Sequence, residues 1–90
     1  MAKSYKLFKV LGNQKRLNII KLLLRKEKLS VEVISKKIRS SYKSTSKHLL
    51  ILESAGLVKR TQDKWWGFYG INRNKMADIR NIITTAKKVV

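Results

Sequence analysis

The sequence has no cysteine, no proline, one histidine and only five carboxylate side chains among its 90 residues. Without cysteine there can be no disulfide and no thiolate metal ligand. A lone imidazole, His48, excludes a multi-histidine zinc centre within one chain, so no metal and no cofactor are expected. Glu32, Glu53 and Asp78 form no pair at a spacing that supports acid–base chemistry. Neither a nucleophile beside its base nor a phosphate-cradling glycine loop is present, which argues against an enzyme. No run approaches the roughly 18 apolar residues of a membrane span. The N-terminal MAKSYKLFKVLG has neither a long apolar h-region nor a small-residue cleavage site, so a cytoplasmic protein with no membrane partner is expected. Low-complexity runs, internal repeats and linkers are also missing. Ninety residues then suit one domain, spanning 1–90.

What the chain has in excess is positive charge. Lysine and arginine number 22, and the net charge is +17. Such a surface repels itself and attracts polyanions, with nucleic acid the first candidate and an anionic membrane the second. The plain alternative is a lysine-rich soluble protein with no anionic partner. A hydrophobic content of 43% argues against a disordered basic tail.

Four glycines, at 12, 56, 67 and 70, are the main punctuation. SYKLFKVLG (4–12) places Leu7, Phe8 and Leu11 at helical spacing, with Gly12 to end the helix. Asn13 then suits the N-cap of QKRLNIIKLLLRKE, whose Leu17, Ile20, Leu23 and Leu24 make an apolar stripe. A third helix opens at SVEVISKKI. Ser30 is its cap, Glu32 lies in the first turn, Lys36 and Lys37 lie in the last, and Val31, Ile34 and Ile38 form the buried face.

The segment SSYKSTSKHLLILESAGLVKR (40–60) changes character halfway, from hydroxyls and lysines to aliphatics. Read as a helix capped by Ser41 and ended by Gly56, it buries Thr45, Leu49 and Leu52 and turns Lys43, Ser46, Lys47 and Leu50 outward. After Gly56 the pattern becomes strand-like. LVKRTQ and WWGFYGI flank Asp63-Lys64, a candidate hairpin turn. Adjacent strand residues face opposite ways, so one of Trp65 and Trp66 is expected in the core. The other would pack on a helix or lie exposed beside nucleic acid. NKMADIRNIITTAKKVV closes the chain as a helix with a broad apolar side. The expected fold is mainly α with a small β-ribbon, in the order α-α-α-α-β-β-α. Two short helices joined by RSS and followed by a ribbon make a winged helix-turn-helix.

With these elements in place, the chain resembles the ArsR-type winged helix-turn-helix repressors of bacteria and archaea. The matching segments are LGNQKRLNIIKLL (11–23), LSVEVISKKI (29–38), SSYKSTSKHLLILESAGLV (40–58) and KWWGFYGI (64–71). Ser46-Lys47-His48-Leu49, with Leu52 and then Ala55-Gly56-Leu57-Val58, is close to the family's S-R-H-L…L-x-x-A-G-L-V. Asn13 to Leu17 resembles its D-P-x-R-L helix start. Many relatives sense metals through a C-x-C pattern at the start of the third helix, where this chain has Ser30 and Glu32. Others use histidines and carboxylates on the last helix, which here offers only Asp78. The resemblance therefore implies DNA binding without metal sensing. It also places Ser40 where the family has Leu and Thr45 where it has Val, which predicts a looser core corner.

Candidate DNA-binding residues are Ser41, Tyr42, Lys43, Ser44, Ser46 and Lys47 on the opening turns of the fourth helix, where a major groove admits an α-helix. Lys59, Arg60, Gln62 and Lys64 are the wing candidates for phosphate or minor-groove contact, or alternatively a charged strand edge that discourages aggregation. His48 reads as structural or as a minor phosphate contact. The resemblance implies a homodimer through the terminal helices, about 4–11 and 73–88, with Leu7, Leu11, Met76, Ile79, Ile83, Ala86 and Val90 at the interface. Alternatively, these helices close the monomer's own core. The leading reading is a sequence-specific regulator of transcription that binds double-stranded DNA, a repressor in function. The second is an architectural, chromatin-coating protein of low sequence specificity. A third is an RNA-binding or protein-docking winged helix.

Overall fold

The computed structural model describes the backbone from Ala2 to Val89 and the side chains from Tyr5 to Thr85. Two helices, α1 (Ala2–Leu11) and α2 (Gln14–Arg25), lead into a short strand β1 (Leu29–Ser30). Helices α3 (Val31–Ile38) and α4 (Tyr42–Ser54) follow. Strands β2 (Val58–Asp63) and β3 (Trp66–Ile71) form the wing, and a 3-10 turn (Arg73–Lys75) leads into α5 (Met76–Val89). The order expected from the sequence holds, with β1 and the 3-10 turn as additions. The sheet is antiparallel throughout, in the order β1-β3-β2, with Leu29 opposite Tyr69 and Arg60 opposite Tyr69 on the other side.

Local capping sets the helix boundaries. The Asn13 side chain accepts the Arg16 amide at 3.1 Å, Ser30 Oγ the Val33 amide at 3.3 Å and Ser41 Oγ the Ser44 amide at 3.0 Å. Each bond satisfies one of the amides that a helix start leaves without a partner. Helix α4 ends in a Schellman closure. The Leu57 amide reaches Leu52 O at 3.0 Å, the Gly56 amide reaches Glu53 O at 2.9 Å, and Gly56 takes φ +79°. Helix α3 closes in the same way through Ser40 N to Ser35 O at 3.0 Å, but with Arg39 in the left-handed conformation. That choice costs about 1–2 kcal/mol relative to a right-handed residue.

The core draws on every helix. Ile19 and Ile20 of α2, Ile34 of α3, Leu49 and Leu52 of α4, Leu57, and Ile79 of α5 have no exposed surface; Val58 and Tyr69 come from the sheet. Leu7 and Leu11 of α1 are buried in the same cluster. Thr45 is fully buried and its Oγ1 has no hydrogen-bond partner, so the corner where the family pattern has Val holds an unsatisfied hydroxyl. Leu17 and Leu24, expected in the buried stripe of α2, are only half-buried, and Leu22 and Ile19 take their places.

The ribbon departs from expectation in two ways. The hairpin turn is Lys64-Trp65 rather than Asp63-Lys64, since Asp63 pairs with Trp66 in the ladder. Lys64 adopts φ +55° there. Neither tryptophan enters the core: Trp65 is 90% exposed and Trp66 62%. Alternation of faces requires both residues to lie in a strand with a layer behind it. Trp65 lies in the turn, and the outer half of the ribbon has no such layer. In β2 only Val58 is buried, and in β3 only Tyr69.

Candidate nucleic-acid interface

Helix α4 separates its two tasks by face. Thr45, Leu49 and Leu52 fix one side in the core with no exposed surface. On the outward side Tyr42, Lys43, Lys47 and Leu50 are exposed, and Ser44 and Ser46 are half-buried. Ser41 is exposed just ahead of the first turn, its hydroxyl already engaged as cap. The six α4 candidates thus lie together on and around the opening turns of one helix. No acidic residue occupies the first turn of α4, so nothing there opposes an anion near its N-terminus.

The wing candidates are linked to one another. Arg60 Nη1 donates to Gln62 Oε1 at 3.1 Å, and Gln62 Nε2 donates to Lys64 O at 3.3 Å. This chain of bonds runs from mid-strand to the turn. Residues directly opposite in the ladder share a face, so Arg60 and Gln62 lie on the side of Tyr69 and Gly67. A Cβ at residue 67 would come within 2.5 Å of an Arg60 guanidinium nitrogen, so glycine there lets the arginine lie against β3. Lys59 and Lys64 are exposed.

Between α4 and the wing runs an open groove of about 480 Å³, reaching the start of α3. Tyr42, Ser46 and Leu50 line it from α4, Arg60, Trp65 and Trp66 from the wing, Ser30 from the end of β1 and Glu32 from the first turn of α3. Sequence reasoning placed Leu50 on the outward face but gave it no role. It read Ser30 and Glu32 only as the cap and first-turn acid of α3. Glu32 pairs with Lys36 at 3.5 Å, an exposed contact of one helical turn. No group of three or more His, Cys, Asp or Glu residues able to hold a metal occurs among the described residues.

His48 plays a structural part. Arg16 Nε donates to Val10 O at 2.6 Å, and Arg16 Nη1 lies 3.3 Å from His48 Nδ1. One guanidinium thus ties the end of α1, the start of α2 and the middle of α4. Burial, then the Arg16 and Lys15 charges, hold the His48 pKa below its ordinary value. The imidazole is therefore mainly neutral at neutral pH, and with its proton on Nε2 the Nδ1 atom can accept from Arg16. Sequence reasoning missed this clamp because the partners are 32 residues apart.

The terminal helices are only partly free. Leu7, Leu11 and Ile79 pack within the chain's own core, and Met76 and Ile83 are half-buried. Val90 lies outside the described residues, as does the side chain of Ala86. Among the described residues of α1, the exposed large apolar side chains are instead Tyr5, at 72%, and Phe8, at 44%. No helix among the described residues is long and apolar enough to cross a membrane.

Comparison with known proteins converges on one family. The family model described as "Bacterial regulatory protein, arsR family" matches residues 13–60, from the cap of α2 into the wing. An uncharacterized HTH-type transcriptional regulator of Methanocaldococcus jannaschii is 32% identical over 81 residues, covering 90% of this chain and 91% of that protein. Among solved structures, reduced HlyU from Vibrio cholerae is 32% identical with a TM-score of 0.78, over 90% of this chain and 85% of its own. The homodimeric winged helix-turn-helix DNA-binding domain of a possible ArsR-family regulator from Mycobacterium bovis aligns over 97% of this chain and 80% of its own. Its TM-score is 0.82 at 24% identity, a likeness of fold.

Proposed function

The chain belongs to the arsR family of bacterial regulatory proteins, DNA-binding regulators of transcription and not enzymes, and we propose that it acts as a homodimeric repressor within the cell. In this reading each protomer lays the opening turns of α4 in a major groove and its wing along the neighbouring backbone. Ser41, Tyr42, Lys43, Ser44, Ser46 and Lys47 face the bases and nearby phosphates, and Arg60, Gln62 and Lys64 take the phosphates or the minor groove. The observation that carries this reading is the division of α4. A helix whose inner face is locked in the core presents an exposed, basic outer face at its N-terminal end, without an acid in its first turn.

Selection of bound duplexes from a random pool, followed by footprinting, tests the reading. A regulator prefers its selected site over random duplex by about 10³ or more. Its affinity falls roughly 10³–10⁵-fold between about 50 and 200 mM salt if it neutralises some 6–10 phosphates. A binding constant indifferent to salt would remove DNA as the partner. The net charge of +17 favours a second reading, an architectural protein that coats duplex with little selectivity. Selection that returns no common sequence supports it.

The dimer part of the proposal draws on the Mycobacterium bovis relative, described as homodimeric. It also draws on the apolar surface left on the terminal helices of this chain. Tyr5 and Phe8 on α1, with Met76 and Ile83 on α5, are among the apolar side chains of the described residues there that are not fully enclosed. A carboxylate set among them would be buried in the dimer without a partner. Ile83 also packs against the chain's own core, so Ile83→Glu should yield monomers, or unfolded chains, in sedimentation. A stable dimer of this variant would move the interface elsewhere.

A further inference from the structure

The groove between α4 and the wing is lined by more than cations. Tyr42 is 61% exposed, Leu50 57% and Trp65 90%. All three line the groove, and more than half of each side chain is open to solvent. Large apolar side chains exposed together beside a functional surface mark a contact site. Arg60, lying against Gly67, adds a cation to the same channel, and the hydroxyl side chains of Ser30 and Ser46 line it as well. Lys43 and Lys47 stand on the adjoining turns of α4.

A phosphodiester strand of DNA has this mixed chemistry. Its phosphates are anionic at regular intervals, and each deoxyribose between them offers an apolar C–H surface. We propose that the groove seats one sugar–phosphate strand of the duplex. Arg60 takes a phosphate, and Tyr42, Leu50 and Trp65 pack on the deoxyriboses to either side. This rests on the reading of α4 in the major groove and deepens it. The strand that separates the groove read by α4 from the groove beside the wing has to pass between the two elements. Charge complementarity with a chain of +17 selects this occupant over a protein segment. Glu32 is the one carboxylate lining the channel; it is held to Lys36 at 3.5 Å and opposes the phosphate charge.

The two contributions separate under salt. A phosphate contact adds to the slope of affinity against salt, whereas an apolar contact adds affinity and leaves the slope alone. The probe is a mixed-sequence DNA duplex, with the single strand of the same sequence as control. Leu50→Ser should weaken duplex binding about tenfold, the worth of covering one such side chain, with the salt slope unchanged. Arg60→Gln should make the slope shallower by about one. The chain has two tryptophans, so Trp66→Phe leaves Trp65 as the only indole. Its fluorescence should become several-fold less accessible to acrylamide when the duplex binds. Tighter binding by Glu32→Gln would also support the proposal.

If duplex still binds with a steep salt slope while Leu50→Ser matches wild type and Trp65 stays accessible, the groove is empty in the complex. The proposal then fails while the DNA reading stands. Loss of affinity in Leu50→Ser only together with a changed slope would also overturn it, as would preference for the single strand. Absence of any salt-dependent duplex binding would remove both.

Discussion

Helix α4 and the wing border the same groove but are held in place differently. Three residues of α4, Thr45, Leu49 and Leu52, have no exposed surface, and its middle is tied through His48 to Arg16 and so to α1 and α2. The wing contributes Val58 and Tyr69 to the core near its base, and from Lys59 to Trp66 every residue is exposed. Beyond the ladder itself, its outer half is organised by two side-chain hydrogen bonds, Arg60 to Gln62 and Gln62 to the Lys64 carbonyl. A helix fixed over its whole inner face can hold lysines at set positions relative to base edges. An overhanging ribbon can follow a backbone whose path varies with sequence. The two elements are suited to the two kinds of DNA contact, base readout and backbone positioning.

This contrast can be broken by substitution. The largest effect is expected at the root of α4. Leu49→Ala should lower unfolding free energy by about 2–5 kcal/mol, because it opens a cavity in a closed core. Arg60→Ala should stay within about 0.5 kcal/mol of wild type, as surface substitutions usually do. Chemical denaturation of the two variants measures both, and an equal loss would show that the wing is as firmly rooted as the helix.

Binding sharpens the same comparison at a smaller scale. Lys43→Ala and Lys47→Ala should each cost about 1–3 kcal/mol on a selected site and much less on random duplex. Lys64→Ala, at the ribbon turn, should weaken both duplexes alike and reduce the salt slope by roughly one. Gel-shift titrations against the two duplexes separate the cases. Uniform losses in all three variants would make α4 a charged anchor and favour the architectural reading.

A smaller effect, of opposite sign to the loss at Leu49, lies inside α4 itself. Thr45 Oγ1 is buried without a partner, and an unmet hydroxyl costs on the order of 1–3 kcal/mol. Thr45→Val keeps the shape and removes the cost, so it should raise stability by about 1 kcal/mol and leave affinity for random duplex unchanged. A destabilised Thr45→Val variant would mean that the hydroxyl finds a partner in solution.

Local chemistry made much of this arrangement legible. Ser41 and Gly56 marked the limits of α4 because a cap and a left-handed stop act on their own neighbours, and the 3.6-residue period assigned Thr45, Leu49 and Leu52 to the core. What the sequence hid depends on distant partners. The period-2 rule placed one tryptophan inside, but it presumes a layer behind the strand, and the outer ribbon has none. Asp63-Lys64 looked like the hairpin turn, yet the ladder continues to Asp63 opposite Trp66 and moves the turn by one residue. Leu7, Leu11 and Ile79 formed stripes that looked available to a second copy, and in the fold they are enclosed by their own chain. Periodicity identifies an apolar face but not which surface covers it. Strand β1 was too short, at two residues, to leave a pattern.

The junction at Gly56 has a mechanical consequence. Asn72, just past the wing, donates its side-chain amide to Gly56 O at 2.8 Å and its backbone amide to Leu57 O at 2.9 Å. Leu57 in turn reaches back to Leu52 within α4. The end of α4 and both ends of the ribbon therefore meet in one knot, like the pivot of a pair of callipers. One arm is stiff and the other compliant, and the gap between them is set at the pivot, remote from the tips. A side chain at 56 that resists φ +79°, or the loss of the amide at 72, would reset the opening without touching any residue that borders the groove.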